Sequence, residues 1–176
     1  MANADSTTTT NTENLVFQTV TESTIAKLLK IPLGASHDLF QVLDACEAYV
    51  DELIENEDIT ERMALCGRLL AGLEVLRTVL KEPLPEHLIQ RLTVEDDNFN
   101  DNSHALCSDS ETIREYCQGM TIILLNQQNT AESQQQITGL LFELVHLLAD
   151  DLKTPRFVRT ADGLAMINRE ARSGIH

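Results

Sequence analysis

The chain has 176 residues, 43% of them apolar but only 4% aromatic, and a net charge of −15. That length accommodates one domain with a real core, and a core of Leu, Ile, Val, Ala and Met points to helices rather than a β-sandwich. An acid excess of this size excludes recognition of nucleic acid through its phosphates and disfavours an anionic membrane surface, since both need a basic face.

Residues 1–13 are polar and Thr-rich and read as a disordered tail, with residues 14–176 as a single helical-bundle domain. The start lacks the basic and apolar regions of a secretory signal. No run approaches about 18 apolar residues, so no membrane span is expected. Four cysteines without disulfide-framework spacing suggest reduced thiols and a cytoplasmic setting. Leu15 to Val20 reads as a short strand, and Thr24 to Lys30 as a short helix ended by Ile31-Pro32.

A first helical hairpin is expected over 36–82. Its first helix runs from His37 to Asn56, capped by Ser36, with Leu39, Val42, Leu43, Cys46, Tyr49, Val50 and Leu53 on one face. Its second helix opens on an Asp58/Glu61 capping box and carries the stripe Leu65, Leu69, Leu73, Leu76 and Leu80. Gly67 and Ala71, one turn apart, suggest a close approach of another backbone. Pro83 and Pro85 stop this helix, and Glu86 to Leu92 can form a short one. Residues 83–107 read as the linker between the hairpins, and within them the segment 93–107 has no periodicity.

A second hairpin is expected over 108–152, with Ser108/Glu111 and Asn129/Glu132 as capping boxes. Its last helix carries Ile137, Leu140, Leu141, Leu144, Leu147 and Leu148. A shift of 71 residues superposes Cys46 on Cys117, Leu53 on Leu124, and Leu69, Leu73 and Leu76 on Leu140, Leu144 and Leu147. Internal duplication and convergent patterning both account for this. Asp162-Gly163 between two apolar runs signals a β hairpin over 156–168, with a short helix capped by Asp162 as the alternative. The fold expected is therefore mainly α: two antiparallel hairpins forming a four-helix bundle, with a small terminal β element that could join Leu15–Val20 to the 156–168 hairpin.

The main electrostatic anomaly is the line Asp44, Glu47, Asp51 and Glu55, continued by Asp58, at three- and four-residue steps on one helix. Like charges so spaced cost a few tenths of a kcal/mol each. They form either a merely solvated face or a contact surface for a basic partner. The linker acids Glu95, Asp96, Asp97 and Asp101 are a second candidate surface. Residues 153–176 instead carry Lys153, Arg156, Arg159, Arg169 and Arg172 against two acids, an end expected to dock on its own acidic body.

Other constellations are weaker. Cys46 and Cys66 fall at one level of the hairpin and read as packed core thiols. Asp96, Asn98 and Asn100 begin an EF-hand pattern that Asp101 and Cys107 break. Ser36-His37-Asp38 is a triad only as text, and the five histidines show no metal-ligand spacing. No cofactor, metal or catalytic residue is expected. Residues 37–80, HDLFQVLDACEAYVDELIENEDITERMALCGRLLAGLEVLRTVL, resemble short uncharacterised bacterial helical-hairpin proteins, a resemblance that implies a bacterial or phage origin and carries no activity. The function expected is non-enzymatic: an acidic adaptor, regulator or inhibitor that binds a protein partner, with homodimerisation compatible. The alternative is an acidic mimic of nucleic acid that inhibits a DNA- or RNA-binding protein, of a phage or plasmid anti-defence type.

Overall fold

A computed structural model describes residues 23–34, 36–95, 109–160 and 163–167. Caps explain where its helices begin. Helix α1 (Thr24–Leu29) starts where Ser23 accepts the Ala26 amide and stops before Ile31-Pro32. Helix α2 (Leu39–Glu55) is capped by Asp38 in a reciprocal box with Gln41, not by Ser36. A carboxylate facing a Gln three residues on satisfies two orphan amides, which a lone Ser hydroxyl at 36 does not. All seven apolar residues expected on its face are buried, joined by Phe40 and Ala45.

Helix α3 (Ile59–Val79) begins as expected at Asp58, which accepts the Glu61 amide at 2.9 Å. The return arm goes elsewhere: Asn56 accepts the Asp58 amide and donates to the Glu61 carboxylate. Leu65, Leu69, Leu73 and Leu76 are fully buried, while Leu80 is only half-buried. The close approach expected at Gly67 and Ala71 is absent, since both face solvent. It falls at Gly72, where a Cβ would stand 2.8 Å from the Cys46 sulfur of α2.

Helix α4 (Glu86–Arg91) follows Pro85 and folds back on the start of α2, with Arg91 over the Phe40 ring and His87 on Asp38. Strand β1 (Thr93–Glu95) comes next. Helix α5 (Ser110–Leu125) is capped by Asp109, and helix α6 (Ala131–Lys153) by Thr130. Both correct the expected caps. Ser108 lies outside the described residues and Glu111 turns to Arg114; Asn129 instead donates to the Ile123 carbonyl. On α6 the buried stripe is Thr138, Leu141, Val145, Leu148, Ala149 and Leu152, leaving Leu140 and Leu147 exposed.

Strands β2 (Phe157–Thr160) and β3 (Gly163–Met166) form the expected C-terminal hairpin, but Gly163, with φ 126°, is not a turn residue: it opens β3 as the register partner of Thr160. The partner of β2 on its other edge is β1, parallel and in register Val94 to Val158. Thr93–Glu95 thus occupies the place expected for Leu15–Val20, which lies outside the described residues. Among the described residues there are six helices and one three-stranded sheet.

Of the long helices, α2 packs on α3 and α6, and α5 packs on the same two. Part of the burial pattern of the first helix pair superposes on that of the second, at two offsets. At 71 residues, cap Asp38 falls on cap Asp109, and buried Val42, Leu43, Cys46, Val50 and Leu53 fall on buried Ile113, Arg114, Cys117, Thr121 and Leu124. At 72 residues, cap Asp58 falls on cap Thr130, and buried Cys66, Leu69, Leu73 and Leu76 fall on buried Thr138, Leu141, Val145 and Leu148. The change of offset is absorbed in the turn between the paired helices.

Candidate functional site

The acid line on α2 meets a second helix. Lys153, at the end of α6, places its Nζ 2.6 Å from Asp44 and 2.5 Å from Glu47. Two turns back along α6, His146 sets Nδ1 3.5 Å from Glu47 and Nε2 2.9 Å from Asp51. Three of the five candidate acids therefore cross-link α2 to α6. Glu55 is exposed, and Asp58 is the cap of α3. Periodicity shows the acids but not their two partners, which lie roughly 100 positions away in sequence.

Burial alone would pull Lys153 down, but its hydrogen bonds to Asp44 and Glu47 outweigh that and hold its pKa above the usual lysine value. A lysine raised on folding stabilises fully below its unfolded pKa of about 10.4 and loses that stabilisation as pH climbs through the folded value. Urea titrations should therefore show a contribution on the order of 1 kcal/mol at neutral pH, discounted for partial exposure, that fades in strong alkali. Lys153→Met should remove both the contribution and its fading. An alkaline limb identical in the two proteins would refute this assignment.

The other candidates are dispersed. Glu95 ends β1 and pairs across the sheet with Arg159 at 3.6 Å. Asp96, Asp97 and Asp101 lie outside the described residues, as does the EF-hand-like stretch. Of the basic end, Lys153 and Arg159 thus dock on acids of the same chain, while Arg169 and Arg172 lie outside the described residues. Burial lifts the thiols of Cys46 and Cys117 to about 12 and that of Cys66 to about 11, leaving almost no thiolate at neutral pH. Ser36 and Asp38 do not converge on His37, whose Nδ1 lies 3.2 Å from the Gly34 carbonyl. Among the described residues, no group of three His, Cys, Asp or Glu side chains is placed to hold a metal ion, and no helix is long and apolar enough to cross a membrane.

Two features escaped the sequence reading. A cleft of about 780 Å³ opens between the two hairpin turns, walled by Ile54, Ile59, Met63, Cys66 and Leu124. Its cation, Arg62, donates to the carbonyls of Leu53 and Asn56 and to the Thr138 hydroxyl, so it ties the first turn to α6.

The second feature is an apolar face. Tyr116 and Ile123 lie two turns apart on α5 and are 55% and 44% exposed. Leu140 and Leu147 lie two turns apart on α6 and are 54% and 38% exposed. On α5 the pair sits on the flank opposite Gln118, which bonds to Glu74 of α3. On α6 the pair sits on the flank opposite His146 and Lys153, which face α2. Both stripes therefore border the outer seam where α5 packs on α6. The signal was present as adjacent Leu-Leu pairs, but such pairs do not say which Leu points inward.

Comparison with protein-family models, curated proteins and solved structures finds no match.

Proposed function

We propose that this chain is a non-enzymatic protein-interaction module, built as a four-helix bundle from a duplicated helical hairpin. The observation that carries this reading is the apolar face of Tyr116, Ile123, Leu140 and Leu147, four large side chains exposed along one seam. Scattered apolar residues need no explanation, but a row of them rimmed by polar residues is what a protein-contact site presents. The described titratable groups support the same reading: Asp44, Glu47, Asp51, Glu111 and Asp151 bond to side chains of the fold and brace it. The remaining acids of the line, Glu55 on α2 and Asp58 at the cap of α3, contribute long-range attraction for a basic partner rather than the body of the contact.

The test uses the tagged full chain and a Tyr116→Asp/Leu140→Asp variant as parallel baits in extract of the native host, at low and high salt. A partner held by the wild type at both salts and depleted about tenfold on the variant supports the reading. Equal recovery on both baits overturns the apolar site. Loss by salt alone, with competition by DNA or RNA, would favour an acidic mimic of nucleic acid instead.

A further inference from the structure

We propose that the outer face of the α5–α6 hairpin seats a short basic amphipathic helix supplied by a partner protein, docked as α1 docks on the α2–α3 hairpin. This rests on the reading of the chain as a protein-interaction module and adds the chemistry of the partner.

Helix α1 packs on both α2 and α3, with Leu28 buried and Ile25 and Leu29 set against the core. Ala45 and Tyr49 of α2 are buried, and Arg68 of α3 donates to the Ile31 carbonyl just after α1 and to the Tyr49 hydroxyl. The two offsets carry these positions to the second hairpin. Ala45 becomes Tyr116, Tyr49 becomes Met120, and Arg68 becomes Leu140. Where the first hairpin has covered residues, the second has Tyr116 and Leu140 more than half exposed, with Met120 half-buried. No described element packs on both α5 and α6 there as α1 does on α2 and α3. The second seat is more apolar than the first, having Leu in place of Arg.

Charge selects the occupant. Helix α1 has Lys27 and Lys30 at its surface and no acid within its span. From Ser110 to Lys153 the second hairpin carries six acids and two cations, and both cations are engaged: Arg114 is buried on Glu111, and Lys153 lies on Asp44 and Glu47. The rim is left acidic, with Glu143 one turn from both Leu140 and Leu147, and with Glu115, itself 3.8 Å from Arg114, beside Tyr116. A helix with apolar residues at three- and four-residue steps and Lys or Arg between them matches both stripe and rim. A second copy of this acidic chain, placed face to face, would set two acidic rims against each other.

The probe is a labelled peptide of residues 23–34 of this chain, titrated by fluorescence anisotropy with the full-length protein. Saturable binding is expected, weakened about tenfold by Leu140→Ser or Ile123→Ser and changed less than about twofold by Ile122→Ser on the other flank of α5. Circular dichroism of each variant verifies the fold, which substitutions at exposed positions should preserve. A peptide carrying Lys27→Glu and Lys30→Glu should bind about tenfold more weakly. Absence of saturable binding overturns the proposal, and so does binding indifferent to Leu140→Ser, which would place the peptide in the seat of α1. Equal affinity of the charge-reversed peptide overturns the basic occupant while leaving the protein-contact reading standing. Concentration-dependent dimerisation in sedimentation, abolished by Leu140→Ser, would make a second copy the occupant.

Discussion

Leu141→Ala should lower stability by about 2–5 kcal/mol, whereas Leu140→Ala, one position earlier, should change it by less than about 0.5 kcal/mol. Leu141 is wholly buried and Leu140 is 54% exposed, so the first substitution leaves a cavity and the second removes atoms already in water. The pair also tests the repeat. A single 71-residue offset would make Leu140 the counterpart of Leu69, while the 72-residue offset of α3 on α6 makes it Leu141. Leu69→Ala, at a fully buried site, should therefore match Leu141→Ala within the scatter of such series. Chemical denaturation midpoints with unchanged slopes give the comparison. A costly Leu140→Ala or a harmless Leu141→Ala would refute the placement of α6.

The second large effect is expected at Arg114. Its side chain is 2% exposed, and it makes a two-pronged bond to Glu111 at 2.9 and 3.1 Å and a third to Gln118. Those bonds hold the Glu111 carboxyl below the usual carboxylate range. Gln118 in turn reaches Glu74 of α3, so a buried cation organises the contact between α5 and α3. Arg114→Ala removes the bonds and opens a cavity, for an expected loss of about 3–5 kcal/mol. The counterpart of Arg114 in the first hairpin is Leu43, also buried. Arg114→Leu should accordingly stay within about 1 kcal/mol of the wild type, because a packed apolar side chain often replaces a buried ion pair at no loss. Glu111 is 44% exposed and can turn to water. If the Leu variant were as unstable as the Ala variant, the ion pair rather than the packing would be what holds this helix.

The helices were legible because a 3.6-residue apolar period survives any tertiary context, and their ends were legible to within a residue or two. Misplaced caps came from polar runs with several eligible residues: Ser36 against Asp38, Ser108 against Asp109, Asn129 against Thr130. Local sequence does not rank neighbours whose side chains can all accept an amide. The inward face of α6 was legible only to within one residue, because a one-residue shift turns a helix by about 100 degrees and Leu-Leu pairs accept either rotation. Strand β1 has three residues and no alternation to display, so its pairing with β2 had no signal. The acid line on α2 was visible as an anomaly. Its bonding was not, because Lys153 and His146 come alongside only after α6 has packed.

The parallel pairing of β1 with β2 has a consequence for the order of folding. Thr93 and Phe157 meet across the sheet although 64 positions separate them. Each helical hairpin closes through contacts between helices adjacent in sequence, which favours its forming before the sheet. The sheet closes a long loop and gains only a few short strands in return, so chain entropy delays it until α5 and α6 have carried β2 back to β1. It is then a late latch on a helical body already assembled, and the part that opens first when the protein breathes.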